Sequence, residues 1–88
     1  MNIRLSGVLL RFVGYRRQFT VEATTVSDGL KALSAQFDQL NGVLFDGEGN
    51  VRTTHRLFLN GDQVDQRELH KFVAPQDTLE ILTALAGG

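Results

Sequence analysis

Residues 24–40 read TTVSDGLKALSAQFDQL. Val26, Leu30, Leu33, Phe37 and Leu40 recur at intervals of 4, 3, 4 and 3 residues, which places them on one face of an α-helix. The spacing predicts a single helix over Thr24 to Leu40. Thr25 is its expected N-cap, with Asp28 three residues on in a capping-box position and close to the positive end of the helix dipole. Asn41-Gly42 is its expected stop. A helix with one apolar stripe must bury it against a second layer, and the segments on either side supply strands for that layer.

Upstream, Met1 to Phe12 reads as a strand, because Ile3 and Leu5 alternate with Asn2, Arg4 and Ser6. Val8, Leu9 and Leu10 are consecutive, so a bulge or a change of face is expected after Gly7. Gly14 marks a turn. Arg16 to Ala23 resumes the alternation, with Phe19 and Val21 on one side, and a hairpin with a loop longer than the tightest kind follows. Downstream, Val43 to Thr54 is irregular around the cluster Asp46-Gly47-Glu48-Gly49-Asn50, which is able to close a small extra hairpin. It fails as a calcium loop of the EF-hand kind. Counting from Asp46, the positions that need glycine and a bidentate glutamate hold Val51 and Leu57. Arg56 to Asn60 is a short strand, Asn60-Gly61 a tight turn, and Gln63-Val64 a brief further strand. Asp65 to Val73 is an irregular crossover with a short helical turn, and Ala74 to Asp77 a turn. Thr78 to Thr83 is the last strand, with Leu79 and Ile81 on one face and Glu80 and Leu82 on the other.

The order is thus strand, strand, helix, strand, short elements, strand. It predicts an α+β fold of the β-grasp kind: a mixed four- to five-stranded sheet, the first and last strands parallel at its centre, and one main helix on one face. The domain is expected over residues 1–83, followed by a flexible tail, 84–88. The tail, Ala84-Leu85-Ala86-Gly87-Gly88, ends on two glycines. Lacking Cβ atoms, they leave the backbone thin enough to enter a narrow channel. A frayed chain end is the plain alternative.

Composition narrows the functions. The chain has 88 residues, net charge −1, 42% apolar and 22% charged residues, as a single globular domain does. That charge gives no electrostatic case for nucleic acid or an anionic membrane. With no cysteine there is no disulfide, thiolate metal site or thiol nucleophile. No apolar run approaches the roughly 20 residues of a membrane span. The expectation is a cytoplasmic protein.

With this order established, the chain resembles the ubiquitin-like sulfur-carrier family, the ThiS and MoaD proteins, over essentially its whole length. The most specific part is Asp77-Thr78-Leu79-Glu80-Ile81-Leu82-Thr83-Ala84-Leu85-Ala86-Gly87-Gly88: an acidic turn, a short apolar strand, a small apolar spacer and a final Gly-Gly. Leu9-Leu10-Arg11-Phe12, and the loop from Leu44 to Asn50 leading into Leu57-Phe58-Leu59-Asn60, are similar to the longer MoaD-like branch that includes CysO. The resemblance implies a protein that is itself a substrate. A ThiF/MoeB-type enzyme uses MgATP to adenylate the Gly88 carboxylate, a sulfur donor converts the adenylate to a thiocarboxylate, and a downstream biosynthetic enzyme takes the sulfur. Gly88 is then the reacting residue, Gly87 provides clearance, and Leu85 and Ala86 dock before the channel. The chain itself contributes no catalytic group and binds no cofactor or metal.

If Leu57, Leu59, Leu79 and Ile81 face the helix, then Phe58, Glu80 and Leu82 face outward and form a candidate partner-binding face beside the tail. Glu80 is placed to pair with an arginine of the partner. His55 and His70 are too far apart for a metal site and read as solvated side chains. Asp62 and Asp65 flank a turn without an acid–base role. Arg11, Arg16 and Arg17 read as a solvated strand end, or as a contact for an acidic partner surface. Two rival functions stand beside the sulfur carrier: a modifier joined to lysines through Gly88, and a plain interaction domain.

Overall fold

The computed structural model of the protein describes residues 1–83. Five strands, β1 (Asn2–Leu5), β2 (Gln18–Thr20), β3 (His55–Leu59), β4 (Asp62–Val64) and β5 (Thr78–Thr83), form one sheet in the order β2-β1-β5-β3-β4. β1 and β5 are parallel at its centre, and the other neighbours are antiparallel. Strand register lines up two apolar rows. Phe19, Ile3, Leu79 and Leu59 form one, and Leu5, Ile81, Leu57 and Val64 the other. Two helices, α1 (Val26–Gln36) and α2 (Asp38–Leu44), supply the second layer of the core through Val26, Leu30, Leu33, Leu40 and Leu44. This is the β-grasp arrangement that the element order predicts.

The long helix is split. Thr25 caps α1 as expected, its Oγ1 accepting from the Asp28 N–H at 3.1 Å. The Asp28 carboxylate accepts from the Thr24 hydroxyl at 2.8 Å instead of closing a capping box. Phe37 then leaves the helix with φ −136° and ψ 99°. There its ring meets the edge of the Phe19 ring with centroids 5.5 Å apart, a favourable aromatic geometry. Asn41 and Gly42, the expected stop, lie inside α2. Glycine in a helix interior costs about 1 kcal/mol, but the second helical segment fully buries both Leu40 and Leu44, and that packing outweighs local propensity.

The first strand is shorter than the alternation suggests. It stops at Leu5, and Gly7–Phe12 winds into a 3₁₀ helix. Val8, Leu9 and Leu10 cannot all point to one side of a strand. The tighter winding, entered through Gly7 at φ +67°, buries Leu9, Leu10 and Val13 and leaves Val8 outside. β2 covers only the middle of the expected Arg16 to Ala23 strand. The remaining turns follow their residues. Asn60 and Gly61 take φ 52° and 91° in the two-residue link between β3 and β4, the backbone that Asn-Gly favours. Gln66–Glu68 is a 3₁₀ turn closed by a capping box from Asp65 and Glu68.

The irregular stretch after α2 has a definite task. The last four carbonyls of a helix lack intrahelical partners. Here Asn41 O receives the Phe45 N–H, Gly42 O the Arg52 Nε–H, and Leu44 O the Arg52 N–H. Val43 O receives the His55 ring nitrogen Nε2 at 2.8 Å. The Asp46 carboxylate accepts the N–H groups of Glu48 and Asn50 and so holds its own loop, which an isolated bridge between Phe45 and Val51 closes.

The turn that launches β5 is a carboxylate site. Asp77 accepts from the Ala74 N–H at 2.7 Å and from the Asn60 side-chain amide at 3.1 Å. The Ala74 N–H, and secondarily the Asn60 amide, hold its carboxyl below the usual carboxylate range. A lowered folded-state pKa stabilises the fold above the ordinary value, and that stability is lost as pH falls through the folded value. The melting temperature of the wild type is therefore expected to fall as pH drops below about 4. Asp77→Asn should fall less steeply, and the two curves should converge in acid. Glu68, lowered by its hydrogen bond to Lys71, titrates in the same window and keeps part of the slope. Parallel curves for the two proteins would refute the assignment.

Candidate docking face and tail base

Alternation along β5 divides its side chains between two tasks. Leu79 and Ile81 point into the core and are fully buried. Glu80 and Leu82 point to the opposite, helix-free face. Register brings Glu80 between Arg4 on β1 and Phe58 on β3, places Phe58 beside Gln63 on β4, and sets Leu82 opposite Arg56. Phe58, Glu80 and Leu82 thus share one face, as the alternation predicts. Leu82 is 40% exposed, whereas Phe58 and Glu80 are half-buried.

This face is positively charged on a protein whose net charge is −1. Arg4, Arg17 and Glu80 line a shallow cleft with Leu5, Ser6 and Leu82, and Arg56 stands across the strand from Leu82. The ion pairs among the described residues, Arg67 with Asp65 and Lys71 with Glu68, lie elsewhere. The guanidinium of Arg56 donates to the Thr53 carbonyl at 2.6 Å. Arg16 stacks over the Phe19 ring, 4.7 Å from its centroid, and Arg11 is exposed on the 3₁₀ helix.

His70 is exposed, as expected, but His55 is not: it is 7% exposed. Beyond its bond to Val43 O, its Nδ1 lies 3.0 Å from the Thr83 hydroxyl. The signal was present in the sequence. His55 is in phase with Leu57 and Leu59, so the alternation that turns those leucines inward turns the histidine inward too. Asp62 is exposed on β4, and Asp65 caps the 3₁₀ turn. Among the described residues no cluster of three or more His, Asp and Glu is placed to hold a metal, and no helix is long and apolar enough to cross a membrane. Leu85, Ala86, Gly87 and Gly88 lie outside the described residues.

A parallel central strand pair, antiparallel strands outside it and helices on one face define the ubiquitin-like β-grasp class, which holds carrier and modifier proteins. The chain belongs to the ThiS family, whose sequence model matches residues 4–88. Among solved structures it is similar to SAMP1 from Haloferax volcanii, with a TM-score of 0.83 and 26% identity over 100% of this chain and 98% of that one. It is also similar to a chain of the Amycolatopsis orientalis BexX/CysO complex, with a TM-score of 0.84 and 22% identity over 99% and 98%. Mycobacterium tuberculosis CysO matches with a TM-score of 0.81 and 19% identity over 96% and 98%. At those identities the last two establish the fold alone. No curated protein sequence matches the chain.

Proposed function

We propose that this protein is a cytoplasmic sulfur carrier whose Gly88 carboxylate is the reacting group. The observation that carries the reading is the family match, which runs through Gly88, on a fold whose central strand β5 ends at Thr83, shortly before that residue. A ThiF/MoeB-type enzyme supplies MgATP. A carboxylate oxygen of Gly88 attacks the α-phosphorus and pyrophosphate leaves. A sulfide from the donor then adds to the acyl carbon and AMP leaves, giving the thiocarboxylate that a downstream enzyme consumes. The acyl-adenylate is a mixed anhydride that water destroys, so the reaction needs a dry site. Gly87 and Gly88 are narrow enough to enter one, with Leu85 and Ala86 docking at its mouth. The folded domain is the handle and adds no catalytic group.

The outer face of the sheet is the docking surface in this reading, with Phe58, Leu82 and Glu80 at its centre and Arg4, Arg17 and Arg56 around them. Its partner should present an apolar patch with an acidic rim, because buried aromatics anchor interfaces and complementary charge sets orientation. Phe58→Ala is expected to weaken binding to the activating enzyme roughly tenfold while the protein stays folded. Titration calorimetry beside a thermal melt checks both halves. Unchanged affinity removes Phe58 from the interface.

Intact mass after incubation with the activating enzyme, ATP and a sulfide source tests the function. The expected gain equals the replacement of one oxygen by one sulfur. An unchanged mass overturns the reading. The likeness to an archaeal modifier protein favours a second use of the same terminus, attachment to lysines. Lysine-linked adducts in cell extract would mark it.

A further inference from the structure

The ring of His55 ties together three parts of the chain that are remote in sequence. It stands at the first position of β3, one nitrogen on the C-terminal end of α2 and the other on Thr83, the last residue of β5. A backbone carbonyl can only accept, so the proton on Nε2 belongs to the bond with Val43 O. That assigns the tautomer. In the neutral ring Nδ1 is an acceptor, and the Thr83 hydroxyl donates to it. Both ring nitrogens of a buried imidazole are thus satisfied, one by an otherwise orphaned helix carbonyl and one by the end of the strand that leads to the reactive terminus.

We propose that His55 is a positioning residue: its bond to Thr83 latches the end of β5 to the domain and fixes the root of the tail. The inference rests on the reading of Gly88 as the reacting group. Five residues follow Thr83 in sequence, so a root fixed at Thr83 gives the carboxylate a reach of about 17 Å. Leu82, the preceding side chain, faces outward and anchors nothing in the core. β5 pairs with β3 to its end, Arg56 opposite Leu82 and His55 opposite Thr83, so without the latch that terminal pair is held by the ladder alone and opens more often. When that pair opens, the root retreats by one position, from Thr83 to Leu82, and the span between root and carboxylate lengthens by about 3.5 Å. A longer span between root and carboxylate spreads the carboxylate over a larger volume and lowers its effective concentration in the partner's site. The chemistry of a correctly seated terminus is unaffected.

The test uses the full chain and its activating enzyme, with pyrophosphate exchange to measure adenylation and amide hydrogen exchange to observe the latch. Thr83→Val removes the hydroxyl and keeps the shape and the strand preference. It should raise KM for the carrier roughly fivefold, the range of one hydrogen bond, with kcat unchanged, and speed exchange at the Leu82 and Thr83 amides. Thr83→Ser, which keeps the hydroxyl, should restore both. His55→Gln retains a donor for Val43 O and loses the Thr83 partner. It should match Thr83→Val, and the double variant should be no worse than either, because both remove one bond. A wild-type KM for Thr83→Val, or effects that add in the double variant, overturns the latch. Failure of the wild type to be adenylated overturns the sulfur-carrier reading instead. Hydrogen exchange then decides the latch alone: it stands if Thr83→Val speeds exchange and Thr83→Ser restores it, and falls if exchange is unchanged.

Discussion

Deleting Gly88 should abolish activation and leave the melting temperature where it is. The core cluster among the described residues runs from Met1 to Ile81, and β5 ends at Thr83, five residues before Gly88 in sequence. The deletion leaves a carboxylate on Gly87, chemically the same group. It sits short of its former position by about 3.5 Å, the length of one residue. Misplacement by only 1 Å costs about a hundredfold where reacting atoms must be aligned. The catalytic efficiency of adenylation should therefore fall at least a hundredfold or so. Circular dichroism melts and pyrophosphate exchange on the two proteins check this. A truncated chain that is still adenylated at the wild-type rate would place the reaction elsewhere and remove the reason for the carrier assignment.

Two neighbouring substitutions on β5 should damage the protein in different ways. Ile81 is fully buried between Leu5 and Leu57 on the two flanking strands. Ile81→Ala removes three carbons from a central strand and is expected to cost about 2–5 kcal/mol. Total stability for a domain is only about 5–15 kcal/mol. The melting temperature should drop by on the order of 15 °C, and activation should be lost only as the assay temperature approaches that lower midpoint. One residue later, Leu82 points away from the core. Leu82→Ala should leave the melting temperature within a few degrees, about the reach of a surface change, and weaken binding to the activating enzyme. Equal thermal losses from the two variants would show that the outer face is structural and would withdraw Leu82 from the docking surface.

The contrast between those residues follows from period-2 alternation, the part of the fold most legible in the sequence. Leu79 and Ile81 turn inward and Glu80 and Leu82 outward because successive strand side chains oppose each other. The same rule put Leu57 inward and Phe58 outward. Alternation also carried His55 inward, although a lone histidine at a strand start invites a solvated reading. Its buried state depends on two partners, Val43 and Thr83, which lie 12 and 28 residues away. The candidate site was legible in the same uneven way. The Gly-Gly terminus and the shared face of Phe58, Glu80 and Leu82 follow from local sequence. The arginine surround does not, since Arg4, Arg17 and Arg56 come from three separate segments and meet only when β1 and β3 flank β5.

Local chemistry thus settled whatever depends on a residue and its near neighbours: Thr25 as a helix cap, the left-handed Asn60-Gly61 turn, the Asp65 and Glu68 capping box, and the inward and outward faces of β1, β2, β3 and β5. Contacts across the chain settled the breaks and the joins. The helix parts at Phe37 because Phe19 receives its ring. It restarts through Asn41 and Gly42 because Leu40 and Leu44 both find the core. The first strand gives way to a 3₁₀ helix because three consecutive apolar residues need burial. The end of β5 pairs with β3, where His55 opposite Thr83 also meets its hydroxyl. Propensity and periodicity are worth tenths of a kcal/mol to about 1 kcal/mol per residue, whereas burying a leucine side chain is worth about 2 kcal/mol. Where the two disagreed, burial set the backbone.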